Sequence, residues 1–528
     1  MPKNAIVMMF DSLQFNYLGC YGNSWIKTPN MDRLAREGVL FENCYTEGLP
    51  TVPCRRAMLT GRYTLPFAGW VGLSTEDTTI ADLCWGRPID AALIFDCPNF
   101  RLPKFGYTRG FDKVWFTHGH EGDYFYDFDE LIHLDPKDFY DENSAMAFET
   151  KVGKAACKGV ITELTTFLRQ RQNWKDKTDH IVWNTVSNAI EYLEKVDRNK
   201  QFFLWVDSFD PHEPWYPPSV TEKRPCPYDP DYKGKPEPYP FEGLVEGIYT
   251  DAQLNHIRML YAETITLCDE CLGRLLDAVR RLGLENDTLF MMVSDHGEPL
   301  GNGADGHGLM EKVRPWPYEE LAHTPMLLRA PGVKPGQRIK AFVQSCDVAP
   351  TICDWLGIGV HPKMQGKSLL PLVRGEVKKV RNFAIAGYHG YGWAIFTENW
   401  SYIHWLQPEN KDNDSMGASF YSEGVDTGYL KEVGGKGYMD EWVEGYAQAK
   451  EVDSGADLPA REHPIMALDG ADQWTCAPNS TTEVPENDEL YDRRQDPFQL
   501  NNIIEQHPDI AHDLLLQLTD YIEELKQS

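Results

Sequence analysis

Short unbroken apolar runs punctuate the chain at Ala5–Phe10, Ala91–Phe95, Phe202–Val206 and Thr288–Val293, each bounded by turn-forming or polar residues. Runs of this length without alternation predict strands buried on both faces, as in a mostly parallel sheet flanked by helices. Amphipathic helical patterns lie between them, the clearest from Leu254 to Leu282. Three of the runs are followed closely by chemistry-bearing residues: Asp11, the stretch Asp207 to His212, and Asp295-His296. Open α/β sheets bind ligands beyond the C-terminal ends of their strands, so this placement marks a candidate site.

From about Val380 the pattern changes to aromatic, irregular segments, with Trp393–Trp405 reading as a hairpin and His507–Lys526 as a terminal helix. Residues 118–178 and 405–485 are rich in Asp, Glu, Gly and aromatics and show little periodicity, so they read as insertions that shape a pocket rim. A chain of 528 residues exceeds the size at which one core stops growing. Two domains are therefore expected: residues 1–378 as an N-terminal catalytic α/β domain and 379–528 as a smaller α+β domain with antiparallel strands.

Composition narrows the function. Hydrophobic residues make up 42% and charged residues 25%, as in globular proteins. The net charge of −29 argues against nucleic acid as a partner, because phosphate neutralisation needs clustered Lys and Arg. Twelve cysteines lack framework spacing and read as buried thiols; Cys268 and Cys271 fall on a helical pattern, which favours a structural pair over zinc or redox chemistry. Asn4 to Phe10 is too short for a secretory leader, and no run reaches the ~20 apolar residues of a membrane span. The expectation is a cytoplasmic protein without membrane partners, with a homo-oligomer left open.

Asp11 and Asp295 with the His296 imidazole suit a borderline divalent ion such as zinc or manganese. A strand-end aspartate alone is as often a helix cap. Between Leu49 and Arg62, Thr51 reads as the N-cap of a short helix, with Pro53 in its first turn and Gly61 as its stop. A hydroxyl at a helix N-terminus sits where a tetrahedral anion is attracted, and Arg55, one turn along, is of the type that clamps one.

Thr51-Val-Pro53-Cys54-Arg55-Arg-Ala-Met-Leu59-Thr60-Gly61-Arg62 resembles the sulfatase signature C-x-P-S-R-x-x-x-L-T-G-R. Further matches occur in family order: Thr28 to Leu34, Asp210-Pro-His212-Glu-Pro214, Ser294-Asp295-His296-Gly297-Glu298, His307-Gly308, Lys312, Asp347 to Thr351, and Glu489 to Asp492 with Asp496-Pro497. The chain thus resembles the sulfatase branch of the alkaline phosphatase superfamily. That resemblance implies an alkaline phosphatase-like sandwich and a metal-dependent hydrolase, with Asp11, Thr51, Asp295 and His296 as metal ligands. It further implies Thr51, Arg55, His212, His307 and Lys312 as catalytic or ester-contacting groups.

The departures fall on the active site. Sulfatases convert the first signature cysteine to formylglycine, and threonine cannot be so converted. Cys54 occupies the signature's serine position. The paired aspartates of most sulfatases are here Asp11-Ser12. Their Asp-Asn, which suits calcium, is Asp295-His296, and their Gly-Lys-Trp-His segment is Phe95-Asp96-Cys97-Pro98. The Asp, Thr, Asp, His set is similar to phosphonate monoester hydrolases, phosphodiesterases, nucleotide pyrophosphatases and phosphoethanolamine transferases. A phosphodiester or phosphonate monoester substrate attacked by Thr51 is the leading expectation. Sulfate ester hydrolysis by threonine, and a weakened sulfatase-like binding protein, are the alternatives. His389, in Gly387-Tyr-His-Gly-Tyr-Gly392, fits either a substrate contact or a tight aromatic turn.

Overall fold

The computed structural model describes residues 3–120, 123, 132–312, 316–406 and 485–527. Eight strands form the large sheet in the order β11 (Gln337–Gln344), β2 (Val39–Tyr45), β10 (Met326–Arg329), β7 (Thr288–Ser294), β1 (Asn4–Phe10), β5 (Gln201–Ser208), β3 (Ile89–Phe95) and β4 (Lys113–Phe116). All are parallel except β10, which runs antiparallel to both its neighbours. The four apolar runs are the adjacent central strands β7, β1, β5 and β3.

Alternation within β1 explains why it reads as unbroken. Ile6, Met8 and Phe10 face one helical layer, whereas Ala5, Val7 and Met9 face the other, and none of the six has measurable exposure. One layer is dominated by the helix Asp251–Arg281, whose N-terminus is closed by a reciprocal Thr250–Gln253 capping box. Cys268 and Cys271 lie buried on it as free thiols. α1 (Pro29–Glu37) joins the same layer through Met31 and Leu34, whereas the other layer is built chiefly from α2 (Thr51–Thr60) and the helix Val348–Leu356.

The stretch 118–178 departs from the irregular reading, because it contains the helices Glu142–Val152 and Lys154–Arg171. Asp141 caps the first through the amides of Asn143 and Ser144, and Gly153 at φ +116° turns the chain into the second. Ala145, Phe148, Leu164, Phe167 and Leu168 anchor the pair in the core, a tertiary contribution that local periodicity does not reveal. Residues 407–484, nearly all of the other unperiodic stretch, lie outside the described residues.

A second, antiparallel sheet follows: β12 (Ala384–Tyr388), β13 (Gly392–Phe396), β14 (Trp400–Trp405) and β15 (Glu489–Asp492), packed by the helix Pro508–Gln527. The expected hairpin and terminal helix are both present. A three-stranded ribbon of β6 (Gly243–Leu244), β9 (Leu309–Met310) and β8 (Leu300–Gly301) braces the loop between β7 and β10. No described helix is long and apolar enough to cross a membrane.

Candidate active site

Neighbouring strands carry the site. Phe10 pairs with Ser294 across β1 and β7, and with Ser208 across β1 and β5. Asp11 and Asp295, the next residues on their strands, therefore emerge side by side, with Asp207 adjacent at the end of β5. None of these carboxylates has measurable exposure. One ligand atom each from Asp11, Asp295 and His296 lies within 4.8 Å of the others, a spacing that a single metal ion can bridge.

Two observations test the fit of a divalent cation. His296 Nδ1 donates to the carbonyl of Gly297 at 2.7 Å, which leaves the Nε2 lone pair facing the carboxylates, the tautomer a metal ligand requires. Burial pushes this imidazole down to about 3, so it is neutral. Charge is the second observation. Among the described residues, five buried carboxylates, Asp11, Asp207, Glu213, Asp295 and Glu298, pair with Arg55 and Lys312 as their lysine and arginine partners. Burial raises the Asp295 carboxyl well above its usual range, and the charge of Asp11 adds to the shift. For Asp11, burial is outweighed by neighbouring positive charge, that of Arg55 first, which holds it below the carboxylate range. A divalent cation would neutralise this excess, and the donor set fits one.

Thr51 is the first residue of α2 rather than its cap. Pro50 occupies the cap position, and no side-chain cap bond forms. Helix entry thus begins one residue earlier than the hydroxyl suggests, and Thr51 Oγ1 instead lies 3.1 Å from His296 Nε2. Gly61 ends the helix in the left-handed conformation at φ +67°, as expected. Cys54 donates its thiol to the carbonyl of Asp295 at 3.1 Å, clasping α2 to the β7 strand end.

Arg55 projects from the same helix face one turn on. Its Nη1 contacts Asp11 at 2.8 Å and Asp295 at 2.5 Å, while Nη2 and Nε grip Asp207 at 2.8 and 3.2 Å. The guanidinium thus holds three carboxylates together beside Thr51. Arg55→Met should cost roughly 3–5 kcal/mol, the scale for stranding buried charges. Urea denaturation checks this; a loss under about 1 kcal/mol would contradict it.

Lys312 reaches the cluster from the loop after β7. Its Nζ donates to His212 Nε2 at 2.7 Å and to Ser12 Oγ at 3.3 Å, and pairs with Glu213 and Glu298 at 3.3 Å each. Burial opposes its charge, but Glu213, Glu298 and Asp11 raise it well above the ordinary lysine range. His212 Nδ1 donates to the carbonyl of Glu213 at 2.6 Å, so Nε2 is the acceptor for lysine. Burial lowers this imidazole too. His212 and Lys312 thus meet although 100 positions separate them.

His307 stands apart from them. Its Nδ1 bonds Glu320 at 2.7 Å, its Nε2 donates to the carbonyl of Gln499 at 2.9 Å, and its ring stacks on Tyr318 at 3.8 Å. Glu213 and Glu298 lie inside recognised motifs, but nothing in their spacing shows that they converge on a lysine. His389 is tied to the carbonyl of Leu65 through Nδ1 at 2.9 Å.

Paired strand-end carboxylates, an imidazole with its Nε2 lone pair turned toward them, a hydroxyl and a buried ammonium fit an ester-bond hydrolase with a possible site for a divalent cation. The sulfatase family profile matches residues 3–358. The chain belongs to the sulfatase family, within the alkaline phosphatase superfamily. It is 26% identical over 420 residues to an arylsulfatase of Clostridium perfringens, covering 74% of this chain and 82% of that protein. It is also 26% identical over 429 residues to the multifunctional alkaline phosphatase superfamily protein PehA of Trinickia caryophylli, covering 70% and 77%. Among solved structures, the phosphonate monoester hydrolase of Agrobacterium radiobacter superposes with a TM-score of 0.63 at 18% identity, covering 99% of this chain and 95% of that one. Family enzymes are metal-dependent, in keeping with the Asp11, Asp295 and His296 set.

Proposed function

We propose that this enzyme hydrolyses a phosphate ester, a phosphodiester or phosphonate monoester, with Thr51 as an unmodified nucleophile. The observation that carries the reading is the Thr51 hydroxyl, 3.1 Å from His296 Nε2 and backed by Arg55 and the paired carboxylates. Asp11, Asp295 and His296, with Thr51 beside them, would hold the cation; nitrogen in the set favours zinc or manganese over calcium. Bound there, such an ion lowers the pKa of a nearby hydroxyl and neutralises charge on the ester.

Thr51 Oγ forms the new bond to phosphorus as the bond to the leaving alcohol oxygen breaks. The electron pair goes to that oxygen, and the net change transfers the Thr51 proton to it. Lys312, aimed by its bond to His212, is the cation facing the ester and the donor nearest the leaving group. Water then cleaves the phosphothreonine and restores the hydroxyl. Threonine favours phosphorus because its ester must be opened by water at the central atom. A formylglycine hydrate instead releases sulfate by collapsing to the aldehyde. The arylsulfatase relative keeps sulfate esters as the second reading.

A panel of aryl phosphate mono- and diesters, phosphonates and sulfates, assayed after metal stripping and add-back, tests the choice. The expected result is a kcat/KM for the best phosphorus ester at least about tenfold above that for the matching sulfate, an activation difference of ~1.4 kcal/mol. A sulfate preference would transfer the reading to a threonine sulfatase.

A further inference from the structure

The second sheet is joined to the nucleophile loop. The amide of Leu49, two residues before Thr51, donates to the carbonyl of Gly387 in β12 at 2.9 Å. Tyr388 comes next, closing β12 and pairing with Gly392 across the turn. The turn is tightly built: a Cβ on Gly387 would sit 2.2 Å from the carbonyl oxygen of Gly392, so the Tyr388 backbone has little freedom. Its ring packs with Leu49, Tyr318 and Trp405 in an apolar cluster, and the residue is 2% exposed.

Among the described residues, the hydroxyl of this buried ring has no hydrogen-bond partner. Buried tyrosine hydroxyls ordinarily find one, and an orphan calls for a physical reason. Burial raises this phenol, with Lys312 opposing the shift and Glu298 adding to it. The turn that carries it is anchored beside Thr51. An unpartnered donor on a turn bonded to Leu49, two residues before the nucleophile, is placed to meet the group that Thr51 attacks.

We propose that Tyr388 is a substrate-contacting residue supplied by the second sheet, whose hydroxyl donates to an oxygen of the tetrahedral phosphate or sulfate group held beside Lys312. The proposal rests on the reading in which Lys312 faces the ester. It gives the second sheet a direct part in binding the anion, independent of which atom serves as nucleophile.

Tyr388→Phe removes only the hydroxyl. Isothermal titration of the metal-loaded full chain with inorganic phosphate, and separately with inorganic sulfate, reads the contact without turnover. Affinity for whichever oxyanion the wild type binds should fall about tenfold or more, the scale of one hydrogen bond to a charged acceptor. The melting temperature should stay within a degree or so, because no bond of the free protein is lost. The titration reads binding without turnover, so its failure is distinct from a wrong assignment of the nucleophile. Oxyanion affinities within twofold of wild type would overturn the proposal, as would failure of the metal-loaded wild type to bind either anion. A lowered melting temperature with unchanged affinity would overturn it too, assigning the hydroxyl to Glu298 as a structural bond.

Discussion

Thr51→Ala is expected to abolish turnover, with kcat falling about 10⁴-fold or more, the range seen when a covalent nucleophile is removed. The same change should leave the fold almost untouched. Thr51 is not the cap of α2, and its hydroxyl makes one bond, to His296, worth about 1 kcal/mol. Thr51→Ser keeps the hydroxyl and should retain measurable turnover. Steady-state rates together with mass spectrometry of acid-quenched enzyme check both claims, since wild type and Thr51→Ser should carry a phosphorylated residue at position 51. Near-wild-type rates in Thr51→Ala would refute covalent catalysis and make a water molecule the attacking group.

The second large effect concerns the metal. Chelation should reduce the rate at least about 10³-fold, and add-back of zinc or manganese should restore it more fully than calcium. Binding also links to stability: at a metal concentration about 1,000 times Kd the folded state gains ~4 kcal/mol, so the melting temperature should fall by several degrees on stripping. His296→Asn exchanges a nitrogen ligand for an oxygen while leaving Arg55 its three carboxylates. Its zinc affinity relative to calcium should drop roughly 10²-fold. Elemental analysis and competitive metal titration measure this; an unchanged preference would remove His296 from the ligand set.

Much of this architecture is legible in sequence because strands buried on both faces must be apolar throughout. That is why β1, β3, β5 and β7 stand out. The strands β2 and β10 on the β7 side do not. They pair with each other between distant parts of the chain, as in Met326 with Phe41, and β10 runs against both its neighbours. Asp11, Asp295 and His296 were legible from strand-end placement and motif together. What Arg55 does was not: the same guanidinium serves equally to clamp a ligand or to hold carboxylates, and only geometry distinguishes the two. The position of His307 follows the same logic, since a histidine in a glycine-rich loop has no register until the C-terminal segment bearing Gln499 closes on it. Tyr388 illustrates a different limit. The sequence shows the aromatic turn that contains it, but an orphaned hydroxyl leaves no trace in composition.

The grip of Arg55 on Asp11, Asp207 and Asp295 bears on how the protein is made. With an internal counter-ion already among them, these carboxylates can be gathered before any metal arrives. Nascent chains can therefore complete their fold first and be loaded afterwards, from whatever pool of ions they encounter. Maturation then becomes a matter of supply in the compartment where loading takes place. The same polypeptide, produced in hosts of different metal economy, would emerge with identical structure and unequal activity.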